Sequence, residues 1–185
     1  MNMPHGSVYL KKLKSILRVP QTVYSTGDSF SWARTEKEHG ISFPAEYKEF
    51  ISTYGTGSID DFIWILTPFE NESSINIFSR AEIMRDSYNY LKKSSPDDFK
   101  YSIYPDEKGL LVWGYTDNGD ELYFNLESES VIIMPSRCRD SDVLEYKMGM
   151  IEFFCKLFTN EIECCVFPDD LVIGGFANYS SIKLR

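Results

Sequence analysis

The dipeptide Asn118-Gly119 constrains this chain more than any other pair of residues. A type I′ turn needs positive φ at both central positions, and Asn-Gly meets that need at least cost, so a two-residue hairpin loop is expected here. Such a loop would fix the register of its flanks. Asp117 would face Asp120, Tyr115 would face Leu122, Trp113 would face Phe124 and Leu111 would face Leu126. The three apolar pairs then share one face, and the other carries the more polar set Val112, Gly114, Glu121, Tyr123 and Asn125. This alternation predicts an antiparallel pair over residues 111–126. Val131 to Met134, beyond the turn at 127–130, is expected to extend it into a meander. The stretch Asp117-Asn118-Gly119-Asp120 lacks the alternating acidic ligands and distant glutamate of a calcium loop, so the turn is the better reading.

Helical spacing dominates the first half of the chain. Leu10, Leu13 and Leu17 mark a short helix over Tyr9–Arg18 with lysines on its other side, ended by Pro20. Asp28 can cap a second helix that runs to about His39, where Gly40 supplies a left-handed stop and the helix dipole favours the histidine. Pro44 suits the first turn of a third helix, in which Tyr47, Phe50, Ile51 and Tyr54 form one apolar stripe before Gly55. Ile59 to Leu66 reads as one strand covered on both faces. Ser79-Arg80-Ala81-Glu82 reads as a capping box that starts a helix to about Lys93. Ile151, Phe154, Cys155 and Phe158 mark a last helix over about Met148–Thr159. No element is expected with assurance in the tail, which holds Phe167-Pro168 and Gly174-Gly175. Helices, then a meander, then a helix give the order of an α+β fold rather than a wound parallel sheet.

Composition excludes several functions. The 185 residues carry 19 basic and 28 acidic side chains, a formal net charge of −9. That balance argues against a nucleic-acid binder, which needs a basic surface. No apolar run approaches the roughly 20 residues that span a bilayer, and the N-terminus shows no signal-peptide pattern, so a cytoplasmic protein is expected. The acid is concentrated. Residues 97–170 hold 17 acidic and 6 basic side chains, whereas the first twenty residues carry Lys11, Lys12, Lys14 and Arg18 and no acid.

Catalytic patterns are scarce. Gly-x-Ser-x-Gly, the P-loop, the dinucleotide glycine fingerprint and His-Glu-x-x-His are all absent. The four cysteines (Cys138, Cys155, Cys164 and Cys165) contain no Cys-x-x-Cys pair, and the two histidines, His5 and His39, do not complete a zinc set. Cys155 is expected to be a core residue. The paired acids Asp60-Asp61, Asp97-Asp98 and Asp169-Asp170 are adjacent in sequence, which does not place two carboxyls across a cleft. No catalytic residue, cofactor or metal is expected.

Two segments resemble the SUKH superfamily of Smi/Knr-type proteins. One is Ile41-Ser42-Phe43-Pro44-Ala45-Glu46-Tyr47-Lys48-Glu49-Phe50 through Tyr54-Gly55-Thr56-Gly57, and the other is Leu111 to Phe124 with its Trp-Gly and Asp-x-Gly-Asp hairpin. Phe43-Pro44 stands where the family has Leu-Pro, and Gly57 follows Thr56 in place of an adjacent second glycine. The likeness spans about Asp28 to Phe167. It implies a single α+β domain, with a curved antiparallel sheet flanked by N-terminal helices and closed by a C-terminal helix. Residues 1–27 would be a basic helix and connector, 28–167 the SUKH-like domain, and 168–185 an extension packed on it. The superfamily includes bacterial toxin-immunity proteins and fungal cell-wall synthesis regulators, so the resemblance implies a non-enzymatic role.

The expected function is therefore an immunity protein that binds and neutralises a cognate toxin, a basic protein such as a nuclease, in the producing cell. The acidic stretch would steer and select such a partner. Candidate contacts are Asp117, Asp120 and Glu121 around the hairpin tip, with Asp60 and Asp61 near the strand Ile59–Leu66. The alternatives are a general regulatory or scaffolding module, or a small hydrolase built on carboxylates such as Asp117 and Asp120.

Overall fold

The structure is a computed structural model and describes residues 5–136, 142–168, 171 and 176–183. Its helices are α1 (His5–Ile16), α2 (Ser29–His39), α3 (Ala45–Tyr54), α4 (Ile77–Ser94) and α5 (Met150–Phe158). Its strands are β1 (Leu17–Arg18), β2 (Gly57–Ile59), β3 (Ile63–Ile65), β4 (Leu111–Thr116), β5 (Glu121–Asn125), β6 (Ser130–Met134), β7 (Leu144–Tyr146) and β8 (Ala177–Ser181). The eight strands form one sheet in the order β1-β8-β2-β3-β4-β5-β6-β7, antiparallel except for the β1–β8 pair. The fold is α+β, as the order of helices and meander predicts.

Local signals explain the helices. The Asp28 carboxylate accepts the Ser31 N–H at 2.7 Å and starts α2, and Gly40 ends it at φ +64°. The α3 stripe is buried, as its spacing requires. Tyr47, Phe50, Ile51 and Tyr54 are fully enclosed, each contributing roughly 1.5–3 kcal/mol by burial. They meet the sheet and α5 through ring contacts: Tyr47 with Phe124 at 5.4 Å, Phe50 with Phe154 at 5.8 Å and Phe50 with Tyr179 at 5.8 Å. Helices α1, α3 and α5 pack on one another over this inner face, and α4 covers the opposite, outer face above β4.

The start of α4 differs from the capping-box expectation. Asn76, not Ser79, is the N-cap, and its Oδ1 accepts the N–H groups of Phe78 and Ser79 at 2.9 and 3.0 Å. The strand expected over Ile59–Leu66 is two strands, β2 and β3, folded on each other through Asp60-Asp61. Both aspartates have positive φ, +47° and +52°, and the Phe62 N–H donates to the Ile59 carbonyl at 3.0 Å, as in a type I′ turn.

The 111–126 hairpin forms, but its register differs from the one expected. Gly119 has φ +85° and Asn118 is not left-handed, so the loop has three residues, 117–119, with one left-handed glycine. Thr116 and Asp120 are the last pair, joined by Thr116 N–H to Asp120 O at 2.9 Å and by Thr116 Oγ1–H to Asp120 Oδ2 at 2.6 Å. Asp117 cannot pair with Asp120 because its N–H donates to Phe62 O of the neighbouring hairpin, at 3.0 Å. Tyr115 therefore faces Glu121, and a bulge between Val112 and Gly114 sets Leu111 opposite Phe124. Trp113 still stacks on Phe124, with centroids 5.3 Å apart. The face expected to be polar is instead covered by α4, and Val112, Tyr123 and Glu121 are buried there.

Three strands lie outside the sequence reading. β7 extends the meander, β1 continues from α1, and β8 in the tail runs between β1 and β2. Of the tail features noted from sequence, Gly174-Gly175 and Asp169-Asp170 lie outside the described residues, as does Cys138.

Candidate functional site

Strand pairing places six residues in one row across the outer face. Ser180 of β8 faces Ser58 of β2, which faces Trp64 of β3, then Tyr115 of β4, Glu121 of β5 and Met134 of β6. Directly paired residues point to the same side of a sheet, so this row is assembled from segments far apart in sequence; Ser58, Glu121 and Met134 in it are buried, Trp64 and Tyr115 are half-buried and Ser180 is exposed. Ile63 and Ile65 on either side of Trp64 are fully buried on the inner face, which leaves the half-buried indole on the outer one. The Trp64 and Tyr115 rings lie nearly parallel, 12° apart, with centroids separated by 6.2 Å.

Arg80 of α4 completes one end of the row. Its guanidinium lies 4.6 Å from the Tyr115 centroid, in cation–π range, and forms an ion pair with Glu121. Burial pushes the Glu121 carboxyl up to about 7, against the opposing pull of Arg80.

The five acids singled out from sequence divide into two groups. Asp120 and Glu121 are buried, 4% and 8% exposed, and bond within the chain. Asp120 accepts from Thr116 and from the Ser136 N–H at 3.1 Å, and so fastens the hairpin turn to the chain after β6. Asp60, Asp61 and Asp117 are exposed. They share one end of the sheet, because the loops 60–62 and 117–119 flank the adjacent pair Ile63 and Thr116. Each has a defined anchor. Asp60 Oδ1 accepts the Asn178 N–H at 3.0 Å and the Asn178 side-chain amide at 3.2 Å, which ties the turn to β8. Asp61 Oδ1 accepts from Ser58 Oγ at 3.1 Å. Asp117 Oδ1 accepts from Trp64 Nε1 at 2.7 Å. The aromatic members of this face, Trp64 and Tyr115, were not singled out from sequence. Trp64 sits inside an unbroken apolar run whose direction of exposure depends on the Asp60-Asp61 turn.

Other candidate groups serve packing. The His39 ring stacks on Phe78 at 3.4 Å, and its Nδ1 lies 3.2 Å from the Tyr104 hydroxyl. His39 lies in the last turn of α2, and burial draws its pKa down against the opposing pull of Glu38 and Glu82. Cys155 is buried, as its stripe predicts. Its thiol reaches the Tyr9 carbonyl at 3.1 Å, and burial pushes its pKa up to about 12. Among the described residues no group of three or more histidine, cysteine, aspartate or glutamate side chains is placed to hold a metal ion. No helix among them is long and apolar enough to cross a membrane.

Part of the concentrated acid is met inside the chain. Lys12 of the basic α1 pairs with Glu161 at 2.6 Å, Tyr9 donates to Glu152 at 3.2 Å, and Lys156 pairs with Glu152 at 2.7 Å. Helix α1 is thereby docked on α5, and Leu13 and Leu17 are fully buried beside it. Among the described residues, the ion pairs leave Asp60, Asp61 and Asp117 without a cationic partner.

The family model SUKH_6, described as SMI1-KNR4 cell-wall, matches residues 30–154. That span takes in α3, the paired hairpins that carry Ser58, Trp64, Tyr115 and Glu121 of the outer row, and the start of α5, and it ends before β8. No curated protein and no solved structure matches the chain. The chain belongs to the SMI1-KNR4 family of the SUKH superfamily.

Proposed function

We propose that this chain is a non-enzymatic immunity protein that binds and neutralises a basic protein toxin in the cytoplasm of the cell that makes it. The observation that carries this reading is the meeting of Asp60, Asp61 and Asp117 at one end of the sheet, beside half-exposed aromatic rings. Carboxylates held on strand ends are preorganised, so little side-chain freedom is lost on binding a cationic surface. A nuclease toxin fits, since its phosphate-binding cleft is basic, and an acidic face can occlude such a cleft and speed association.

The test is co-expression with the toxin encoded beside its gene, paired with calorimetry on the purified proteins. Protection of the cells together with a 1:1 complex is expected. Loss of both would end this reading.

A second reading is a regulatory or scaffolding module of the Smi/Knr type, which the cell-wall description of the matching family favours. It differs in its partner, a resident cellular protein, and it expects no protection in the same assay.

A further inference from the structure

The row across the outer face contains an aromatic–carboxylate pattern twice. At Tyr115 the pattern is complete within the chain, with ring, Arg80 guanidinium over it at 4.6 Å and Glu121 carboxylate pairing that guanidinium. At Trp64, the next position in the row, the ring is present and so is the carboxylate. Asp117 bonds the indole N–H at 2.7 Å, and Asp61 is anchored to Ser58, the residue directly opposite Trp64. Among the described residues the cations that lie over rings are Arg80, Lys92 and Lys183, on Tyr115, Tyr88 and Tyr24, and none lies on Trp64.

Resting on the protein-binding reading above, we propose that Trp64 is the seat for an arginine of the basic partner, its guanidinium stacked on the indole and paired with Asp117 and Asp61. Three features make the seat. The Nε1–Oδ1 bond fixes the indole orientation, and stacking on Tyr115 supports one side of the ring. The planar guanidinium matches both the ring face and a carboxylate fork, which an ammonium does not. Tryptophan is also the strongest of the aromatic partners for a cation. The net charge of −9 attracts any basic peptide, whereas this geometry distinguishes arginine from lysine.

The test compares penta-arginine with penta-lysine in calorimetric titrations at about 0.15 M salt. Of the three tryptophans, Trp32 is 7% exposed and Trp113 fully buried, so the fluorescence change on binding reports Trp64. The expected result is binding of penta-arginine at least about five-fold tighter than penta-lysine, with a change in tryptophan emission. Trp64→Leu and Asp117→Asn should each remove that preference, with folding checked by circular dichroism. If Trp64→Leu does not fold, Trp64→Phe keeps a ring on Tyr115 and should reduce the preference without abolishing it. Glu127→Gln, a remote exposed acid, should leave the preference unchanged.

Equal binding of the two peptides, or a preference that survives Trp64→Leu or Asp117→Asn, overturns the arginine seat. The neighbouring toxin separates this failure from failure of the function. If the wild-type chain neutralises the toxin but shows no arginine preference, the seat falls and the immunity reading stands. If the preference is present and depends on Trp64 but no toxin is bound, the seat stands and the immunity reading falls.

Discussion

The Glu46 carboxylate accepts the backbone N–H of Ile151 at 3.0 Å, across 105 residues of sequence. Helix α5 has Gly149 as its N-cap and no capping side chain of its own, so a side chain from α3 supplies the missing acceptor. A Cβ at Gly149 would meet the Glu46 carboxylate and push it off the Ile151 N–H. Glu46→Ala should therefore cost about 1 kcal/mol, in the range of lost N-caps. Gly149→Ala should cost a similar amount, because it displaces the same carboxylate. The double variant should be clearly less destabilised than the sum of the two. Urea denaturation of the four proteins measures this, and full additivity would show that the two residues act separately.

Helices and strands differ in how readable they were from sequence. The α3 stripe and the α2 caps depend on contacts within a few residues, so spacing and residue type determined them. The hairpin at Asn118-Gly119 was legible as a hairpin. Its register was not, because Asp117 is drawn to Phe62 O in another hairpin and Asp120 to Ser136. β8 alternates buried Ala177 and Tyr179 with exposed Asn178 and Ser180, but two apolar residues in five are too short a pattern to mark a strand in sequence. The acids of the candidate face were legible as charges. Which of them faced water was decided by distant contacts: Arg80 of α4 encloses Glu121, while Thr116 and the Ser136 N–H hold Asp120.

The Glu121 carboxyl holds its proton to about pH 7 in the folded chain and to roughly pH 4.3 when unfolded. Across that window the folded state binds more protons, so this residue makes the protein less stable as pH rises from about 4.5 through about 7. Glu121→Gln has no such titration. Relative to wild type it should gain about 1–3 kcal/mol of unfolding free energy between about pH 5 and pH 8. Urea titrations at the two pH values measure the difference, and a constant offset would show that Glu121 titrates as an ordinary carboxylate.

Asp60 is held in a left-handed conformation at φ +47° and bonds both the backbone and side chain of Asn178. Asp60→Ala loses both bonds and strains the turn, at an expected cost of about 1–3 kcal/mol. Asp60→Asn keeps an acceptor and tolerates the backbone angle, so it should be milder. Hydrogen exchange localises the effect. Amides of β8 should exchange faster in Asp60→Ala, while those of β5 and β6 stay protected.

The Tyr47 hydroxyl donates to the Leu66 carbonyl at 2.7 Å in the interior. Tyr47→Phe leaves that carbonyl unmatched and should cost about 1–2 kcal/mol with no change in fold, measured by thermal denaturation. A neutral result would mean that Leu66 O finds another donor.

The interior place of β8 also orders events on the ribosome. Residues 177–181 are synthesised after every other described strand, yet they lie between β1 and β2. While the chain is being made, β1 has no strand beside it, β2 keeps an open edge, and Asp60 lacks the asparagine that anchors it. Until residues 177–181 are made, the nascent chain therefore carries an unpaired edge, the geometry that invites wrong pairing with other chains. Of the three exposed aspartates at one end of the sheet, Asp60 alone gains its anchor when the tail arrives, since Asp61 and Asp117 are held by Ser58 and Trp64. A chain cut before residue 177 would present Asp60 without the Asn178 groups that hold it.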